Sequence, residues 1–296
     1  MTPGRSTLLA DRGVVSVTGE DAGKLLQGII CNDLDLLAHR PAIHAAVLSP
    51  QGKILFEFFV VKANEGFLLE TLRVKAAELA QRIGMYKLRA KATIGDASGE
   101  YRVLTAWGPS LAGCAAGGMI RFRDPRLPDL GVRMLARVPT RDAFTSLPGQ
   151  CNAAPEDWHA HRVALGVPEG GKDYALGEAF PHEADFDLLN GVSFSKGCFV
   201  GQEVVARMHN RAAVRKRVVP VESSVPLTPG AEILAGTARI GIVGSVAGCR
   251  ALAMLRLDRA AEAEAKGAPL TAAGAQIALR RPDWFVGELL PSAAAP

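Results

Sequence analysis

The C-terminal part of the chain constrains the fold most. From about Val218 onward it offers only short β-like runs, Arg217–Val221, Arg239–Val246, Ala251–Leu255 and Gln276–Leu279, separated by Pro and Gly turns. Runs this short expose unpaired edges in an open sheet, and closure into a barrel removes them. A small all-β barrel of roughly eighty residues is expected there, with its boundary between residues 212 and 213, so that 213–296 form the barrel domain. The remaining 212 residues must then build their own core. With 48% hydrophobic and 22% charged residues the chain has the apolar material to do so, which rules out disorder of the whole chain.

Residues 1–212 alternate helical and strand patterns, an α+β texture. Asp11–Val17 reads as a first strand, and Thr18-Gly19-Glu20-Asp21 as a helix start with acids at the positive end of the helix dipole. Ala22, Leu25, Leu26, Ile29 and Ile30 then recur at helical spacing. Ala45–Leu48 reads as a strand and Ser49-Pro50-Gln51-Gly52 as a turn, followed by a hairpin of Ile54–Lys62 with Gly66–Leu69. Val74–Ile83 reads as a helix and Leu88–Ile94 as a half-buried strand. Arg102–Thr105 and Leu130–Leu135 follow as strands and Glu156–Leu165 as a helix. Pro109–Gly118 is weakly patterned, and a long polar loop runs from Pro168 to Asn190.

Several function classes are disfavoured. The longest uncharged stretch, Val103–Ile120, carries four glycines and Pro109, so no membrane span is expected. Arg5, Asp11 and Arg12 interrupt any secretory leader. Five widely spaced cysteines, at 31, 114, 151, 198 and 249, outline no disulfide framework and suit a reducing compartment. His159 and His161 point apart on a helix and have no further ligands at finger spacing, so they read as a polar face rather than a metal site. Arg207, His209, Arg211, Arg215, Lys216 and Arg217 form a basic run without stacking aromatics, which favours contact with an anion or a partner protein over RNA.

The most informative segment is NGVSFSKGCFVGQEVVARMHNRAAVRKR, Asn190 to Arg217. Val192–Ser195 reads as a strand, Lys196-Gly197-Cys198 as a tight turn, and Gly201 as the opening of a helix. Glu203 and Arg207 stand at i,i+4 on that helix. Cys198 lies just upstream of the helix N-terminus and two residues from Lys196, and both features favour the thiolate. The alternative is a small buried hydrophobe at a strand end. In the preceding loop, Glu183 and Asp185 offer hydrogen-bond acceptors that could anchor a polar edge in a mostly apolar pocket, or else a solvated loop.

This segment resembles the K-G-C-F/Y-x-G-Q-E signature of the YgfZ-type folate-binding proteins, relatives of the glycine-cleavage T-protein, an aminomethyltransferase (GcvT-like). Lys196, Gly197, Cys198, Phe199, Gly201, Gln202 and Glu203 all fall on it. Gly19-Glu20-Asp21-Ala22, Leu26-Gln27-Gly28, Asn32-Asp33-Leu34, the Leu48–Ile54 hairpin, Tyr86-Lys87-Leu88-Arg89 and Asp124-Pro125-Arg126 also have counterparts. Gly166–Gly170 and Val214–Arg217 look most like the branch containing the mitochondrial iron–sulfur assembly factor. The resemblance implies a cloverleaf of two α+β subdomains with a C-terminal β-barrel. It implies a bound tetrahydrofolate or derivative, with Gln202, Glu203, Arg207, Tyr86 and Arg89 joining Glu183 and Asp185 as contacts. It also implies Cys198 as a functional thiol poised by Lys196.

The implied role is an accessory protein, not a turnover enzyme, in assembly, insertion or repair of 4Fe–4S clusters in client enzymes, among them radical enzymes of tRNA modification. Its expected partners are iron–sulfur client or assembly proteins. A monomer in the cytoplasm is expected, or in the mitochondrial matrix if the source is eukaryotic. The alternative is a folate-dependent aminomethyltransferase, one-carbon transferase or demethylase. That reading is weakened where catalytic relatives carry consecutive acids and this chain has Phe56-Glu57, and where an acid gives way to Ala164.

Overall fold

Two five-stranded sheets and a closed six-stranded barrel are built from the strands of the computed structural model, which describes residues 4–111, 118–138, 150–211, 214–286 and 289–290. The chain divides into two units. One comprises Met1–Trp158 with Leu189–Gln202, the other His159–Leu188 with Glu203–Pro296.

The first unit begins with β1 (Gly4–Leu8), β2 (Arg12–Thr18) and α1 (Ala22–Ile29). It continues through β3 (Ala42–Leu48), β4 (Ile54–Ala63), β5 (Gly66–Leu72), α2 (Arg73–Lys87) and β6 (Thr93–Asp96). Then come β7 (Tyr101–Trp107), β8 (Met119–Arg123), β9 (Val132–Arg137) and β10 (Gln150–Asn152). One sheet has the order β3-β4-β5-β2-β6 and the other β10-β1-β7-β9-β8. Leu25, Leu26 and Ile29 of α1, with Ala76, Leu79 and Ile83 of α2, bury one helical stripe each against Val15, Val17, Phe56, Phe58 and Leu69 of the first sheet. Each large side chain so buried stabilises by about 1.5–3 kcal/mol.

Three local expectations change. The N-terminal arm holds β1, which pairs with β7 and, in parallel, with β10. The strand expected over Leu88–Ile94 begins only at Thr93. Helix α2 runs on to Lys87, Leu88 turns the chain at φ 45°, and the alternating charges of Arg89 and Lys91 belong to a solvated connection. Val192–Ser195 forms no strand, because its backbone pairs with a loop instead of a ladder. The weakly patterned Pro109–Gly118 falls largely on residues 112–117, outside the described residues.

A buried network of charge links the two sheets of this unit. Arg126 donates to both carboxylate oxygens of Asp124 at 3.1 and 2.9 Å, and Arg133 donates to Asp124 at 2.9 Å and to Glu70 at 2.6 Å. Arg12 donates to the same Glu70 oxygen at 2.9 Å. The guanidinium groups of Arg126 and Arg133 lie 4.9 and 4.5 Å from the ring centroid of Phe59, a favourable cation–π geometry. The two arginines hold the Asp124 carboxyl well below the usual range in spite of complete burial, which acts the other way.

Helices α3 (Pro155–Leu165) and α4 (Gln202–Arg211) precede the barrel. The barrel comprises β11 (Lys216–Ser223), β12 (Glu232–Ala235), β13 (Ala238–Ala247), β14 (Arg250–Arg256), β15 (Leu270–Ala272) and β16 (Ala275–Leu279), with α5 (Leu257–Ala265) between β14 and β15. The order is β11-β14-β13-β12-β15-β16, and β16 pairs back onto β11 through Val221 and Leu279. Its core is Val219, Val221, Ile233, Ile240, Val243, Ala253, Leu255 and Ile277, with Leu257 and Ala260 of α5. The barrel expected from the short runs is present. Strands β12 and β15, of four and three residues, and helix α5 carry too little pattern to have been read.

Candidate functional site

Residues 190–201 of the first unit have no regular structure, so their backbone groups must find partners elsewhere. They find them on the loop that follows α1. Ser193 N–H donates to the Cys31 carbonyl at 3.0 Å. The Cys31 thiol donates to the Gly191 carbonyl at 3.2 Å and accepts from Ala46 N–H at 3.2 Å. The Asn32 side chain donates to the carbonyls of His44 and Asn190, at 2.7 and 2.8 Å. Burial pushes the Cys31 thiol up to about 12, so it stays protonated.

Lys196 closes this arrangement. Its ammonium donates to the carbonyls of Gln27, Ile30 and Asn32 at 2.7, 2.8 and 2.9 Å. Gln27 lies in the last turn of α1 and Ile30 is its C-cap, so two of these carbonyls belong to the helix end, where intrahelical donors run out. The Phe199 ring lies 5.4 Å from the ammonium. Burial lowers the affinity of Lys196 for its proton, and the carboxylates of Asp33 and Asp35 oppose that. Lys196, read from the sequence as the cation that poises Cys198, has its three donors taken by backbone carbonyls of the α1 end and of the loop after it.

Beyond Lys196 the chain turns outward. Gly197 and Cys198 are exposed, and Phe199 turns back into the core. Cys198 makes no hydrogen bond or ion pair among the described residues, and it precedes the first turn of α4 as the spacing predicts. Gly201 sits at φ +82°, and a Cβ there would lie 2.6 Å from the Ser49 carbonyl and 3.0 Å from the Gly52 Cα. The signature glycine therefore lets the backbone at residue 201 pass against the Ser49–Gly52 turn. Gln202 reaches back toward the Lys196 carbonyl at 3.5 Å.

The other expected contacts are dispersed. Tyr86 is half-buried at the end of α2 and packs on the helix–sheet core, while Arg89 is exposed. No hydrogen bond or ion pair joins either to residues 196–202 among the described residues. In the second unit Glu203 and Arg207 form an exposed pair at 3.0 Å on α4, an arrangement of small energetic weight. Glu183 accepts from Phe180 N–H at 3.0 Å and caps a short turn over Pro181–Ala184.

Asp185 is wholly buried at φ 60° and accepts from Arg217 at 2.7 Å, while Asp187 takes both Arg217 nitrogens at 2.9 Å. Burial pushes the Asp185 carboxyl up to about 7 against the pull of Arg217, and its second oxygen has no hydrogen-bond partner among the described residues. Burial opposes the charge of Arg217, and the bonds to Asp187 and the carboxylate of Asp185 outweigh it and hold its proton more tightly. The acids expected to meet a pterin thus serve the loop itself, and Arg217, counted in the basic run, is buried. Arg207, His209 and Arg215 of that run are exposed.

His159 lies 2.9 Å from the Lys172 ammonium and 3.9 Å from Glu169. No group of three or more His, Cys, Asp or Glu side chains is arranged to hold a metal among the described residues. Glu57, the acid of the early hairpin, is buried and bonded to His44 at 2.9 Å.

Sequence reasoning missed the roles of Gln27, Cys31 and Asn32 beneath the Cys198 loop. Their only trace in the sequence was the Leu26-Gln27-Gly28 and Asn32-Asp33-Leu34 pattern.

One antiparallel sheet, one mixed sheet and the terminal barrel place the molecule in the class of aminomethyltransferase folds. The glycine cleavage system aminomethyltransferase T from Bartonella henselae superposes with a TM-score of 0.78 at 13% identity, over 96% of this chain and 87% of that one. Residues 215–286 match the family of CAF17 C-terminal beta-barrel domains. Sequence comparison narrows this class. The mitochondrial iron–sulfur cluster assembly factor IBA57 of Homo sapiens is 34% identical over 310 residues, covering 94% of this chain and 84% of the relative. The mitochondrial IBA57 of Mus musculus is 34% identical over 250 residues, covering 75% and 69%. The chain belongs to the IBA57 family of iron–sulfur cluster assembly factors. No helix among the described residues is long and apolar enough to cross a membrane.

Proposed function

We propose that this protein serves the assembly, insertion or repair of 4Fe–4S clusters in client enzymes, radical enzymes of tRNA modification among them. The carrying observation is Cys198, an exposed thiol on a loop between the buried Lys196, bonded at its ammonium, and the buried Phe199. Thiolate is the ligand iron–sulfur clusters use, and four are needed to hold one. A single Cys198 suits contact with a cluster that a partner carries, and the relatives' established name as assembly factors supports that partner class.

Tetrahydrofolate or a derivative is the proposed ligand, supported by the fold. The donor set fits it in part. Arg89 and Arg207 are exposed cations suited to a glutamyl tail and Gln202 is half-buried, whereas Glu183 and Asp185 face inward. The proposed compartment follows the mitochondrial relatives in a eukaryote and is otherwise the cytoplasm.

The test is deletion of the gene, followed by assay of several 4Fe–4S enzymes beside cluster-free enzymes. Loss confined to the 4Fe–4S set is expected. Undiminished 4Fe–4S activities would overturn the proposal.

A further inference from the structure

We infer that Lys196 is a positioning residue, a latch that fastens the Cys198 loop to the end of α1 and holds the thiol outward without activating it. The inference deepens the proposed role of Cys198 and rests on it. An ammonium has three donors. Here all three are matched by the carbonyls of Gln27, Ile30 and Asn32 within 2.9 Å, with the Gln27 amide oxygen at 3.4 Å.

The latch is braced on both sides. Asn32, whose carbonyl accepts from Lys196, grips Asn190 at the start of the loop with its own side chain. Gln27, whose carbonyl also accepts, is fixed by bonds to Asp33 and to Leu34 N–H, both at 2.8 Å. Ser193 Oγ accepts from Lys196 N–H at 3.2 Å, which fixes the backbone one residue before Gly197. No side chain of the loop other than that of Lys196 reaches the α1 carbonyls among the described residues. A planar guanidinium does not reproduce three converging bonds, so the position demands lysine in particular.

Two accounts of Lys196 then separate. A poising cation lowers the pH at which Cys198 reacts and leaves the loop's order alone. A latch orders the loop and leaves that pH alone. Lys196→Met keeps the length of the side chain and removes its donors. Hydrogen exchange followed by mass spectrometry, with the pH profile of Cys198 alkylation read on the same peptides, distinguishes the two.

In Lys196→Met, exchange of amides 190–200 is expected to accelerate roughly tenfold or more while β2–β5 keep their protection. The alkylation midpoint is expected to stay in place, and Lys196→Arg should behave like the Met variant. Asn32→Ala keeps the cation and cuts the brace, so it should also accelerate exchange over 190–200. Lys196→Arg carries the test if Lys196→Met does not fold. Unchanged loop exchange in the folded variants, or an alkylation midpoint raised by a full pH unit in Lys196→Met, would overturn the latch. Neither readout depends on any iron–sulfur activity, so failure of the latch is distinguishable from failure of the proposed function.

Discussion

At the scale of single residues, two buried acids carry opposite electrostatics. Asp124 sits between two arginines and its carboxyl lies well below the ordinary range. A depressed acid adds stability that is present above its unfolded value of about 3.9 and lost as pH falls below it. Asp124→Asn leaves Arg126 and Arg133 buried without their shared charge. It should cost about 3–5 kcal/mol by chemical denaturation, the range for breaking a buried pair. A loss under about 1 kcal/mol would mean that water reaches these groups.

Asp185 is the reverse case. With its folded value near 7, the native state holds an extra proton that the unfolded chain has released above about 4. Stability should therefore fall as pH rises from about 4 through 7, and Asp185→Asn should flatten that slope. Urea denaturation from pH 5 to 8 checks this. Equal slopes in the two proteins would show that Asp185 is ionised throughout and that Arg217 outweighs burial.

At the scale of elements, the Cys198 loop depends on what lies beneath it. Gly201 meets the Ser49–Gly52 turn with no room for a Cβ, whereas nothing lies within 4 Å of a Cβ at Gly197. Gly201→Ala should therefore lower stability by about 2–3 kcal/mol, from a strained φ and a backbone clash. Gly197→Ala should stay within about 0.5 kcal/mol. Comparable thermal shifts in the two variants would contradict the packing described for Gly201.

The same region marks the limit of what sequence could show. Helix α1, the β4–β5 hairpin and the barrel were legible, because each declares itself through local periodicity and turn residues. The loop before Cys198 was not. Val192–Ser195 alternates as a strand does, but its partner is the Cys31 carbonyl, over 150 residues away in the chain and outside any ladder. Lys196 looked like a neighbour of Cys198 for the same reason: sequence shows who is adjacent, and only the fold shows that its three bonds go to the end of α1 and the loop after it. Glu183 and Asp185 were legible as acids, but their inward orientation follows from Phe180 N–H and Arg217, which the sequence does not place beside them.

At the scale of the whole molecule, the account joins a fold shared with an aminomethyltransferase to membership of an iron–sulfur assembly family. A native-state ligand stabilises by mass action, so tetrahydrofolate at a hundred times its dissociation constant should add about 2.7 kcal/mol. Thermal unfolding with and without the folate reads this, and saturating ligand with neither a shift nor calorimetric heat would remove folate from the account. The central claim is narrower and concerns Cys198. In cells lacking the endogenous gene, the wild-type chain and Cys198→Ser should be expressed to equal steady-state levels and the activity of a 4Fe–4S enzyme measured. The account predicts restoration by the wild type and little or none by the serine variant, which keeps the fold because the thiol is exposed and makes no hydrogen bond among the described residues. Full restoration by Cys198→Ser would contradict it.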